Sequence, residues 1–169
     1  MNRVLVELTE QPIDLAGILS HIRDPHCGAE VLFTGTTRRW TQPHDQKTVN
    51  DGQKETSHLV YEAYHPMALS QMERLAQSAL AQWPLHAVAI VHRTGIVFAS
   101  ETSVIVAVSA PHRSEAFSAA KWLIDSVKHE VPIWKQEHYV QDAAVWHHPT
   151  SGSCSCGHQE SAKMSIEYP

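Results

Sequence analysis

Two apolar runs constrain this chain most: AVAIVH within residues 86–92 and TSVIVAVS at 102–109. Both are dense in Val and Ile, carry no Asp, Glu, Lys or Arg, and are bounded by Pro84, Gly95 and Pro111. β-branched residues in short runs between breakers suit a pleated surface, so both runs are read as strands at the centre of a sheet. Such a sheet needs helices packed on it.

The rest of the sequence supplies them. Residues 3–8, RVLVEL, alternate as a half-buried strand does. Asp14 then suits an N-cap, and Leu15, Ile18, Leu19 and Ile22 fall on one helical face until Pro25 and Gly28 close it. Residues 29–35 form a second strand ending at Gly35, with TTRRW in the loop after it. The polar stretch 41–56 is expected to be a long mobile loop. Residues 57–64 resume the strand pattern. Pro66 opens a helix to about Gln82 with Ala68, Met72, Leu75 and Ala79 as its buried stripe. After Pro111, residues 112–129 give a second long helix whose stripe is Ala116, Ala120, Leu123 and Val127. Pro132 ends that helix, and PIWKQEHYV continues extended. The order β-α-β, loop, β-α-β-β-α-β fits an α+β domain with helices on a largely antiparallel sheet. That domain spans 1–146, and the small, polar, aperiodic residues 147–169 read as a disordered tail.

Size and charge fit one such domain. The chain has 169 residues, 13 Lys plus Arg against 18 Asp plus Glu, and a formal net charge of -5. A net acidic chain lacks the basic excess that binding to nucleic acid or an anionic membrane requires. No apolar run reaches the ~20 residues of a membrane span, and MNRVLVELTE carries no signal-peptide pattern. With three cysteines, too few for a disulfide framework, the expected setting is the cytoplasm. The common dinucleotide, P-loop, zinc-protease and serine-hydrolase motifs are missing from the sequence.

Basic residues gather where elements end. Arg38 and Arg39 follow the FTG strand, His112 and Arg113 sit at a strand-to-helix junction, and Lys128 and Lys135 flank the turn after that helix. A helix N-terminus with His112 and Arg113 suits a phosphate or carboxylate. The plainer role, with Arg113 paired to Glu115 and His112 capping, fits the same residues. Lys128 borders an apolar stripe, where a lysine either loses proton affinity and becomes a base or snorkels to water. The 13 histidines scatter, and His21, His26, His44, His58, His65, His86, His129 and His138 share no spacing. One metal-like group, Cys154, Cys156 and His158 with His147 and His148 upstream, lies in the tail, where adventitious binding is the simpler reading and no physiological metal is assigned.

Five segments, GAEVLFTGTTRR, YEAYHPMA, AIVHRTG, VSAPHRSEAF and VKHEVPIWKQE, lie in an order and spacing covering about residues 28–137. In this the chain resembles the catalytic (large) subunit family of molybdopterin synthase. The resemblance implies an α/β hammerhead-type fold with extra β structure and a homodimer carrying a small ubiquitin-like sulfur-carrier subunit at each end, a heterotetramer. It implies a sulfurtransferase that moves sulfur from the carrier's C-terminal Gly-Gly thiocarboxylate to cyclic pyranopterin monophosphate, forming the molybdopterin dithiolene without a metal or redox cofactor. Position by position, Thr36, Thr37 and Arg38 match the substrate-contacting turn, and His112 and Arg113 the anion-binding pair. Lys128 matches the catalytic lysine, and Lys135, Gln136 and Glu137 the second lysine segment of the same pocket. Together with Arg39, these cations are expected to make one locally positive pocket. The alternative is a non-catalytic protein that holds a phosphorylated pterin or a partner's C-terminal carboxylate in that pocket.

Overall fold

The computed structural model describes residues 2–41 and 54–147. In chain order the elements are β1 (Arg3–Thr9), α1 (Leu15–Ile22), β2 (Ala29–Thr36), β3 (Trp40–Thr41), β4 (Lys54–Ala63) and α2 (His65–Gln82). There follow β5 (Ala87–Arg93), β6 (Gly95–Phe98), β7 (Thr102–Ala110), α3 (Arg113–Glu130), β8 (Ile133–Tyr139) and β9 (Val145–His147). The arrangement is α+β, and no helix among the described residues is long and apolar enough to cross a membrane.

The two apolar runs are indeed the centre of a sheet, ordered β1-β5-β7-β2. β1 and β5 are parallel, while β5 with β7 and β7 with β2 are antiparallel. Every residue of β5 is buried. Because side chains alternate along a strand, Val88 and Ile90 face one way, into a core with Met72 and Leu75 of α2 and Leu123 and Val127 of α3. Ala87, Ala89 and Val91 face the other way, against Ile18 and Ile22 of α1. The small residues on that side let the short helix approach closely. The predicted stripes of α2 and α3 are all buried, whereas in α1 only Ile18 and Ile22 are, and Leu15 stays exposed. Truncating a fully buried residue such as Ile90 or Leu75 to Ala would cost about 2–5 kcal/mol.

A second sheet, ordered β3-β4-β8-β9 with β6 also on β4, stands beside the first. It corrects several boundaries. Trp40–Thr41 pairs antiparallel with Lys54–Glu55, so both ends of the expected 41–56 loop are strand, held by Thr56 N–H to the Arg39 carbonyl at 2.7 Å. Thr36 likewise belongs to β2 rather than to the loop after it, and β4 begins at Lys54 rather than 57. Residues 95–98 and 145–147 are strands that the periodicity does not disclose, being too short to show a period. His147 therefore closes the domain as part of β9 instead of opening the tail. Residues 42–53 and 148–169, including His44, His148, Cys154, Cys156 and His158, lie outside the described residues.

Helix ends follow local chemistry only in part. Pro66 sits in the first turn of α2 as expected. Asp14 and His112 take the N-cap positions of α1 and α3, yet neither makes a side-chain capping bond. Pro132 bars continuation of α3, which ends as Val131 N–H donates to the Val127 carbonyl at 3.3 Å.

Candidate functional site

At the C-terminal end of β2 the register shifts between Gly35 and Thr36. The following turn is clamped to the loop before β7: Thr37 N–H donates to the Glu101 carbonyl at 3.0 Å, and Ser100 N–H donates to the Thr37 carbonyl at 2.8 Å. Thr37 is buried by this clamp, while Thr36 and Arg38 stay exposed. Arg39 is held by Glu55 across the β3–β4 pair, its Nε and a terminal nitrogen lying 2.9 and 2.7 Å from Oε1. Arg38 makes no ion pair among the described residues, which leaves its guanidinium available to an incoming anion.

β8 presents Lys135, Glu137 and Tyr139 along one face, the period of two expected of a strand. Lys135 Nζ donates to Glu137 Oε1 at 2.6 Å, and Tyr139 Oη donates to Glu137 Oε2 at 2.7 Å. Glu137 is only 5% exposed. Burial pushes its carboxyl up, but the hydrogen bonds from Lys135 and Tyr139 and the lysine charge outweigh that and hold it below the ordinary carboxylate value. Burial, and after it the donation to Glu137, push the Tyr139 phenol up to about 12. His147 of β9 stands opposite Lys135 with Nε2 3.8 Å from Glu137 Oε1. In the sequence only the K-x-E-x-Y spacing signals Tyr139, and His147 is expected in the tail. Gln136 points to the opposite face, where its Oε1 meets His138 Nε2 at 2.8 Å.

The remaining candidates sit at the two ends of α3. His112 and Arg113 are exposed at its N-terminus, and Arg113 makes no ion pair with Glu115 or any other described residue. Lys128 is exposed in the last turn, with Nζ 5.8 Å from the centre of the Phe33 ring of β2.

The matched cations do not all lie together within one chain. β2 opposes β7 with Ala29 at Ala110 and Thr36 at Thr102, so the Thr36–Arg38 turn and the His112–Arg113 junction lie at opposite ends of the same strand pair. Seven strand steps separate them by about 24 Å. Along α3, Arg113 and Lys128 are about 22 Å apart at 1.5 Å per residue. A single chain groups Lys128 with the β2 surface near Phe33 and leaves His112 and Arg113 at the far end.

Comparison with known proteins gives one family. Residues 8–130 match the family model described as MoaE protein. A Staphylococcus carnosus protein named molybdopterin synthase catalytic subunit is 40% identical over 140 residues, 83% of this chain and 86% of its own length. A protein of the same name from Drosophila persimilis is 44% identical over 135 residues, 79% of this chain. This chain spans only 35% of that longer relative. Among solved structures, molybdopterin synthase from Staphylococcus aureus superposes with a TM-score of 0.74 at 34% identity, covering 83% of this chain and 95% of that one. A Helicobacter pylori chain, solved as a protein-protein complex of subunits 1 and 2 of molybdopterin-converting factor, shares the fold at a TM-score of 0.64 and 17% identity, covering 83% and 88% of the two chains. A match over most of the domain, in sequence and in fold, means that the chain belongs to the MoaE family.

Proposed function

We propose that this chain is the catalytic subunit of a molybdopterin synthase, a sulfurtransferase that takes sulfur from the C-terminal thiocarboxylate of a small carrier subunit and delivers it to cyclic pyranopterin monophosphate. The observation that carries the reading is the pair of lysines. Lys135 is fixed by a buried carboxylate, and Lys128 projects from a helix end over Phe33, both within segments that resemble the family's motifs. A protein that merely held a pterin phosphate would need the anion-binding groups but not a lysine anchored in this way.

In this reading His112 and Arg113 hold the substrate phosphate at the N-terminus of α3, and Arg38 with Thr36 contacts the substrate at the end of β2. Lys128 acts as base or charge stabiliser as the thiocarboxylate sulfur bonds to a substrate carbon and oxygen departs from that carbon as water, after which water cleaves the carrier's acyl C–S bond and frees its carboxylate. Lys135 presents a second cation, oriented by Glu137. The separation of about 22 Å between Arg113 and Lys128 is bridged by a homodimer, in which one protomer supplies the anion-binding pair and its partner the lysines. A Helicobacter pylori chain of the same fold comes from a complex of two different subunits, which is in keeping with a partner subunit here.

The test is product formation from thiocarboxylated carrier and precursor. Lys128→Ala is expected to leave a folded dimer and to abolish turnover. Near-normal turnover by that variant would overturn the catalytic assignment.

A further inference from the structure

At the end of the first sheet where β5 begins, two side chains of the turn after α1 meet a third that lies far along the sequence. Asp24 Oδ1 lies 3.0 Å from His26 Nδ1 and 3.6 Å from His86 Nδ1. The three ligand atoms all fall within 4.8 Å of one another. The two imidazoles are nearly parallel, 13° apart with centroids separated by 5.8 Å. From this convergence we infer that Asp24, His26 and His86 form a binding site for a divalent ion of the zinc type, lying outside the residues assigned to sulfur transfer.

The donor chemistry fits. Two imidazole nitrogens and one carboxylate oxygen are a ligand set for borderline ions such as Zn2+ and a poor one for Mg2+ or Ca2+, which prefer oxygen alone. A tetrahedral ion with bonds near 2.0–2.1 Å holds its ligand atoms about 3.3 Å apart. The two separations from Asp24 Oδ1, 3.0 and 3.6 Å, bracket that value. Three protein ligands leave a fourth position for water.

The backbone around the three residues is already fixed. His26 N–H donates to Asp24 Oδ1 at 2.9 Å, and Cys27 N–H donates to the Asp24 carbonyl at 3.0 Å, closing a tight turn through Pro25. His86 is held in the sheet on both sides: its N–H donates to the Ser109 carbonyl at 2.9 Å, and its own carbonyl accepts from Arg3 N–H at 2.9 Å. The Arg3 guanidinium lies 3.4 Å from Asp24 Oδ2, which commits that oxygen and leaves Oδ1 for the ion. Neither histidine showed a pattern in the sequence, because the β1–β5–β7 pairing alone brings His86 to the turn after α1.

The experiment is zinc titration calorimetry on the full, untagged chain carrying Cys154→Ser, Cys156→Ser and His158→Ala, so that thiols and imidazole in the tail do not compete. One Zn2+ per chain is expected. Affinity should fall at least about tenfold in His26→Ala, in His86→Ala and in Asp24→Asn, with unchanged far-ultraviolet circular dichroism. His26 is 77% exposed, so its substitution tests the site without threatening the fold. No zinc uptake by the tail-silenced chain, or equal affinity in the His26→Ala/His86→Ala double variant, would overturn the inference. Sulfur-transfer activity is not the readout, so failure here leaves the enzymatic reading untouched.

Discussion

Lys135 and Glu137, two residues apart on one face of β8, are joined by a 2.6 Å hydrogen bond in which the carboxylate is 93% enclosed and the amine about two-thirds enclosed, their side chains being 7% and 35% exposed. The asymmetry assigns the roles. The buried partner cannot move, so it sets the direction of the partner that reaches solvent.

Glu137→Gln keeps the shape but removes the charge that orients Lys135. Turnover is expected to fall on the order of 10- to 100-fold, because small displacements of a reacting group are costly. Stability should fall by about 1–3 kcal/mol, less than for a fully buried pair, since Lys135 can turn to water. The sign with pH follows from the lowered carboxyl value: the stabilisation is present above the unfolded-state value of about 4.3 and is lost as pH falls through the lower folded value. Urea denaturation of both proteins at pH 7 and pH 3 checks this, with the difference between them shrinking in acid.

A second acid-sensitive group sits in β5. Burial pushes the His92 imidazole down to about 4, only partly offset by its Nδ1–H donating to the Arg93 carbonyl at 2.7 Å. The unfolded chain takes up a proton near pH 6.5 that the folded chain refuses, so stability is full above that value and declines as pH falls from 6.5 to about 4. The slope reaches up to about 1.4 kcal/mol per pH unit. His58, pushed down by burial and by neighbouring His138, adds in the same direction. His92→Gln keeps a donor for the Arg93 carbonyl, and denaturation midpoints between pH 7 and 5 should flatten in that variant.

Gly28 ties the start of β2 to the junction before α3, its N–H donating to the Pro111 carbonyl at 3.2 Å. A Cβ at position 28 would stand 2.8 Å from that same carbonyl oxygen, which is backbone and cannot rotate away. Gly28→Ala is therefore expected to cost about 1–3 kcal/mol and to displace His112 and Arg113 next in the chain. Thermal unfolding measures the first effect. A raised KM for the phosphorylated precursor, with the carrier's KM unchanged, measures the second.

Arg113 and Lys128 stand at opposite ends of one helix, so in the proposed reading a pocket using both draws them from two protomers. Chains carrying Arg113→Ala and chains carrying Lys128→Ala are each expected to be inactive. Unfolded, mixed and refolded together, they should regain about a quarter of wild-type activity, since half the dimers are mixed and each mixed dimer has one intact site. A mixture that stays inactive would show that both residues serve a pocket within one chain. Because both side chains are exposed, neither change should alter stability by more than about 0.5 kcal/mol.

What the sequence by itself determined were the elements whose period is long enough to show. The stripe Ala68, Met72, Leu75 and Ala79 and the runs at 86–92 and 102–109 needed only helical or strand geometry to read, and their apolar residues are buried as expected. It also supplied the catalogue of cations and the family likeness. β6 and β9 escaped because four and three residues carry no period, and both exist only because β4 and β8 offer them an edge. The tertiary structure alone decided which catalogued residues meet. Closeness in sequence misled at Arg113 and Lys128, which share a helix yet lie at its two ends, and at Gln136, whose neighbours Lys135 and Glu137 face the other way. Distance in sequence hid the approach of His86 to Asp24 and His26. The reason is physical: local propensity fixes direction along the chain over a few residues, whereas proximity between elements is set by strand register and by which faces bury apolar surface, quantities that belong to pairs of segments and not to either one.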